Sequence, residues 1–125
     1  MNNEVKPNVY AAICPSRDVL ALIGQKWVSL IVGGLDQQVL RFGELKRLCE
    51  GVSQKMLTQA LRQLERDGIV SRLVCPDSGR LKVEYQLTEL GESLVPVVQM
   101  AKAWAESALP SIEANRRSYH QHDVK

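Results

Sequence analysis

The sequence predicts a mainly α-helical fold with one small β-hairpin, the winged helix-turn-helix plan. Three observations predict it. Behind Ser53, Met56, Leu57, Ala60, Leu61 and Leu64 recur at helical spacing. The period then falls to two, with Leu81, Val83, Tyr85 and Leu87 alternating with Lys82, Glu84 and Gln86. Finally, Leu90, Leu94, Val97, Ala101, Trp104 and Ala108 form one long apolar stripe.

Length and composition fit a single domain over residues 1–125: 125 residues, 45% of them apolar, suffice for one core. Within it we expect a flexible arm over 1–12, a folded core over 13–112 and a polar tail over 113–125. The sequence holds no membrane span and no basic-then-apolar leader, so the expected location is the cytoplasm. Cys14, Cys49 and Cys75 are odd in number and far apart, which suits free thiols in a reducing compartment.

The formal net charge is only +2. Its distribution says more. From Arg41 to Lys82 nine cations face five anions, a local excess of four, so the two flanks together are net negative by two. A phosphate-facing surface belongs in that middle third.

Taken in order, Ser16 is placed to cap a short helix ending near Ile23, with Gly24 as a left-handed stop. A second helix, about Lys26 to Leu35, should bury Trp27, Leu30, Ile31 and Leu35, against a cost of about 1 kcal/mol each for Gly33 and Gly34. Val39 to Arg41 reads as a brief strand. Phe42 to Glu50 reads as a helix with Phe42, Leu45, Leu48 and Cys49 on one face, ended by Gly51.

Ser53 then caps a helix that Asp67-Gly68 closes. Val70 to Cys75 pairs with the strand around Val83, and Pro76-Asp77-Ser78-Gly79-Arg80 supplies the turn. Thr88 caps the final helix, and Pro96 should bend it without ending it. The stripe of Leu94, Val97, Ala101, Trp104 and Ala108, widened by Val98, Ala105 and Ile112, can pack on its own domain and still serve a second copy. With Leu20 of the first helix, it is the expected homodimer interface.

The helix after Ser53 has one apolar face and one face of donors, as a major groove requires. Gln54, Gln59 and Arg62 can address base edges, Lys55 and Arg66 can neutralise phosphates, and Thr58 can meet a thymine methyl or a phosphate oxygen. Ser53 and the helix N-terminus add backbone donors. Arg80 and Lys82 at the hairpin tip lie beside this candidate recognition helix. Double-stranded DNA is the partner these residues fit. The competing reading is a protein-interaction module, which would carry apolar anchors on that face.

At this point the residues resemble the HxlR-type winged helix-turn-helix regulators. The resemblance rests on Cys14-Pro15, Leu22 to Trp27, Arg41 to Leu45, Ser53-Gln54-Lys55-Met56-Leu57-Thr58, Leu61 to Val70, Val83-Glu84-Tyr85 and Leu87 to Gly91. It implies a homodimer joined by the first and last helices, on a roughly palindromic operator, acting mainly as a repressor. Four features depart from the family pattern: Ser78-Gly79 in place of a proline-rich wing tip, Gly33-Gly34, Gln38 in a turn position usually held by glycine, and Cys75 where tyrosine is common.

Cys14 resembles the N-terminal cysteine with which redox-sensing members detect an oxidant or a small electrophile. A helix start and Arg17 close by would favour its thiolate. It is equally a small buried hydrophobe by type, and the residues leave both readings open. Cys49 belongs to a core face.

Catalysis is excluded on residue grounds. The two histidines, His120 and His122, stand in the tail, and no nucleophile is matched to a base. No cofactor is implied, and His120-x-His122 alone is too few ligands for a metal.

Overall fold

A computed structural model describes residues 6–123; residues 1–5 of the arm and 124–125 of the tail lie outside the described residues. Five helices and three strands follow in the order α1 (Ser16–Ile23), α2 (Lys26–Gly34), β1 (Leu40–Arg41), α3 (Phe42–Leu48), α4 (Gln54–Arg66), β2 (Val70–Asp77), β3 (Arg80–Leu87) and α5 (Glu89–Asp123). The strands make one antiparallel sheet in the order β1-β3-β2, with Arg41 opposite Glu84, Arg72 opposite Tyr85 and Asp77 opposite Arg80.

The core lies where α2, α4, the base of the hairpin and α5 meet. Ile31, Val32, Leu35, Leu45, Leu57, Leu64 and Val70 are sealed from solvent. Each such side chain contributes about 1.5–3 kcal/mol by leaving water. α5 enters this core through Val95 and Val98, which are buried, with Leu94 packed against it.

Several expectations change. Ser16 does not cap α1: Pro15 holds the cap position and Ser16 is the first helical residue, its hydroxyl turned to Cys14. Gly24 has φ −76°, so no left-handed stop is made there. α2 buries Val28, Ile31 and Val32, with Leu35 just beyond it, while Leu30 is exposed and Trp27 only half-buried. α2 is apolar nearly all round, so its sequence could not say which side faces in. On α3, Leu45 is buried and Cys49 follows it into the core, but Leu48 is exposed.

The hairpin is longer and tighter than expected. Pro76, Asp77 and Arg80 belong to the strands, leaving Ser78 (φ +49°) and Gly79 (φ +81°) as a two-residue turn. Two consecutive left-handed residues match the twist of the flanking strands. Alternation buries only the base of β3, Tyr85 and Leu87, while Leu81 near the tip is 74% exposed. The left-handed residue before β1 is Gln37 (φ +56°), and the neighbouring Gln38 amide donates to the Gly34 carbonyl.

Among the described residues, both ends carry contacts or helix that the sequence reading did not foresee. The Arg17 guanidinium donates to the Val9 and Tyr10 carbonyls at 3.1 and 2.7 Å, which ties residues 9–10 of the arm to α1. α5 continues through Pro96 and also through Pro110, and it runs on as helix to Asp123, with residues 113–121 exposed. Glu113, Ala114, Arg116 and Arg117 are good helix formers, and Arg117 Nη1 pairs with Glu113 one turn back at 3.9 Å.

Candidate nucleic-acid interface

α3, the turn at Gly51 (φ +92°) and α4 form the helix-turn-helix. The Ser53 hydroxyl accepts the Met56 N–H at 3.1 Å and sets the first residue of α4. Val52, buried in the turn, holds the entry angle. Leu57, Ala60, Leu61 and Leu64 fix α4 on the core, so its rotation about its own axis is determined.

That rotation presents Gln54, Lys55, Gln59 and Arg62 to solvent, with Thr58 half-buried at the edge of the same face. Met56, expected in the core, is 47% exposed and stands beside Lys55 at the start of the helix. Arg66 is set apart from this group. It lies at the far end of α4, 3.4 Å from Asp67, and borders the hollow between α1 and α5. This exposed pair is weak in water, so Arg66 differs from Lys55 by its place at the far end of α4.

The sheet brings in residues that sequence reading missed. A hollow of about 250 Å³ lies between α4 and the sheet, lined by Phe42, Thr58, Leu61, Arg62, Glu65, Arg72 and Tyr85. Arg72 therefore joins Thr58 and Arg62, because its cross-strand pairing with Tyr85 puts it on the helix-facing side of β2. Arg80 is exposed at the wing tip. Lys82 is half-buried, with its ammonium 3.6 Å from Glu84.

The expected interface residues divide by exposure. Leu20, Val97, Ala101 and Trp104 are exposed, Trp104 at 65%, whereas Leu94 and Ala108 are half-buried. Val19, Leu90 and Met100 extend the exposed apolar surface. Of these, Val19 and Leu90 line one hollow with Leu94 between α1 and α5.

Cys14 is half-buried. The Asn8 N–H donates to its sulfur at 3.2 Å, and the Ser16 hydroxyl stands 3.1 Å away. These donors, Asn8 first and then Ser16, hold the thiol below its ordinary range. Arg17, expected to supply the field, is not among the causes of this shift; its guanidinium donates to the arm carbonyls. Cys49 is buried, and desolvation pushes its thiol up. Cys75 is exposed on the wing.

No cluster of His, Cys, Asp or Glu among the described residues could hold a metal, and none of the described helices is long and apolar enough to cross a membrane.

Known proteins share this arrangement. The chain is similar to the HTH-type transcriptional regulator YtfH of Escherichia coli, 41% identical over 109 residues that cover 87% of this chain and 86% of that protein. It is similar to YybR of Bacillus subtilis, another HTH-type transcriptional regulator, at 41% identity over 89% and 90% of the two chains. Among solved structures, a transcriptional regulator ytfH from Salmonella typhimurium superposes with a TM-score of 0.81 at 40% identity, covering 90% of this chain and 99% of that one. The redox regulator HypR in its oxidized form superposes with a TM-score of 0.68 at 44% identity, covering 75% and 96%. The family to which these proteins point consists of transcriptional regulators and not of enzymes. With the HxlR-like helix-turn-helix model matched over residues 22–113, the chain belongs to the HxlR-like helix-turn-helix family.

Proposed function

We propose that the protein binds a palindromic DNA operator in the cytoplasm as a homodimer and represses transcription, and that Cys14 is the group through which an oxidant or small electrophile releases it. The observation that carries this reading is the exposed polar face of α4, from Gln54 to Arg62, beside a basic wing. Gln54, Gln59 and Arg62 have the bidentate geometry for base edges; Lys55, Arg80 and Lys82 meet phosphates, with Ser53 and Thr58 beside them. Arg66, weakly paired with Asp67, adds phosphate attraction at the far end of α4.

Dimerisation is supported by the apolar surface of α1 and α5, through Leu20, Leu94, Val97, Ala101, Trp104 and Ala108, which water would otherwise wet. A twofold dimer places two recognition helices on two half-sites, so the operator mirrors its symmetry. Release through Cys14 is supported by a thiol that its donors shift toward thiolate, close to α1 of that surface. It also agrees with the similarity to HypR, a redox regulator.

The test is a fluorescence-anisotropy titration of the DNA upstream of its own gene, with reduced and diamide-treated protein. Tight, salt-sensitive binding that collapses on oxidation, and a Cys14→Ser variant that binds but no longer responds, are the expected results. Binding no tighter than to random duplex contradicts the operator reading; an undiminished diamide response in Cys14→Ser contradicts the role of Cys14.

A further inference from the structure

Arg41 stands far from the wing in sequence and beside it in the fold. The two-residue strand β1 pairs with β3, which sets Arg41 directly opposite Glu84. Side chains of direct cross-strand partners share a face of the sheet, and alternate residues of one strand do the same. Arg80, Lys82 and Glu84 of β3 therefore share a face with Arg41 of β1 and with Asp77, the partner of Arg80 on β2.

These side chains meet around a hollow of about 490 Å³, lined by Arg41, Asp77, Ser78, Arg80, Leu81 and Lys82. Three cations and one carboxylate line the notch, and with Glu84, 3.6 Å from the Lys82 ammonium on the same face, one positive charge remains in excess. Arg41 Nη2 lies 3.4 Å from Asp77 Oδ2 through a single contact, with the two side chains 48% and 54% exposed. Such a pair is weak in water. A phosphodiester offers the same guanidinium two oxygens and a stronger, bidentate geometry.

We infer that Arg41, with Arg80 and Lys82, forms a wing notch for a DNA backbone phosphate, and that Asp77 is a latch that occupies Arg41 until the phosphate displaces it. The inference rests on the DNA-binding reading above. It adds a positioning residue outside the helix-turn-helix and an acid that tunes the affinity.

The test uses the whole protein and a random 30-base-pair duplex, since phosphate contacts do not depend on sequence. Anisotropy titrations between 50 and 200 mM salt compare wild type, Arg41→Gln, Asp77→Asn and the double variant, with circular dichroism melts to verify folding. Arg41→Gln should lower the salt slope by about one, so that its deficit against wild type shrinks roughly threefold across that range. Asp77→Asn should bind more tightly than wild type, and its gain should vanish in the Arg41→Gln background.

An Arg41→Gln protein with wild-type affinity and slope overturns the notch while leaving the DNA-binding reading intact. An equal gain from Asp77→Asn in both backgrounds overturns the latch, because the acid would then repel DNA without acting through Arg41. A wild type that binds no duplex overturns both this inference and the reading beneath it.

Discussion

Thr88 and Gly91 fasten the long last helix to the joint between α4 and the wing. The Gly91 N–H donates to the Thr88 hydroxyl at 3.1 Å, and that hydroxyl donates to the Gly68 carbonyl at 2.5 Å. A Cβ on Gly91 would overlap the Ile69 carbonyl oxygen, which is backbone and cannot swing away. Gly91→Ala should therefore cost roughly 1–3 kcal/mol or more. Thr88→Val, which loses the cap, should cost about 1 kcal/mol. Urea unfolding checks both; a Gly91→Ala protein as stable as wild type would mean that α5 is not held against this joint.

The paired glycines of α2 should behave oppositely. A Cβ on Gly34 would overlap Leu48 Cδ2, whereas one on Gly33 would meet Val98 Cγ1 at an ordinary 3.7 Å. Gly33→Ala should stabilise the fold by about 0.5–1 kcal/mol through helix propensity alone. Gly34→Ala should lose that gain to the clash unless Leu48, itself exposed, turns away. Thermal melts of the two variants separate the cases: a smaller gain or a loss in Gly34→Ala shows that Leu48 holds its place, equal gains that it turns away, and destabilisation by Gly33→Ala would contradict the packing described.

Cys14 and Cys49 should differ in their response to pH. Donors from Asn8 and Ser16 lower the Cys14 thiol, so below the ordinary cysteine range Cys14 carries more thiolate than a free thiol at the same pH. Burial raises Cys49, which carries less. Iodoacetamide labelling followed by mass spectrometry should thus reach Cys14 first on raising pH, and Ser16→Ala should move its profile upward. Labelling of Cys49 before Cys14 would contradict both shifts.

The polar face of α4 was legible in the sequence because its physics is local. Ser53, the 3.6-residue period and the polar face of α4 are neighbours along the chain, and the structure keeps them together. Arg41 and Arg72 were illegible because strand pairing, not spacing, brings them to the wing and to Arg62. Leu30 was misplaced because α2 has too little polarity to show its rotation, and Met56 because the apolar face of α4 is narrower than its apolar sequence. Residues 113–123 read as a tail for want of an apolar stripe, yet their propensity sustains α5 to Asp123.

Trp104 is the largest exposed apolar side chain on α5. If it anchors the proposed dimer, Trp104→Glu should weaken self-association by about 2 kcal/mol or more, roughly thirtyfold in Kd, while the melting of the fold changes little. Sedimentation equilibrium measures the first and circular dichroism the second. Unchanged association would move the interface off this stripe.

Whether two copies of α4 read one DNA site is met most directly by hydroxyl-radical footprinting on the DNA upstream of its own gene with reduced protein. Two protected patches of related, inverted sequence are expected, centred about one helical turn, or a multiple of it, apart. In the same experiment Arg62→Ala should blur the boundaries and Lys55→Ala should only raise the protein concentration needed. Uniform protection without preferred positions, or none at concentrations where the protein is dimeric, would contradict a paired reading of the site.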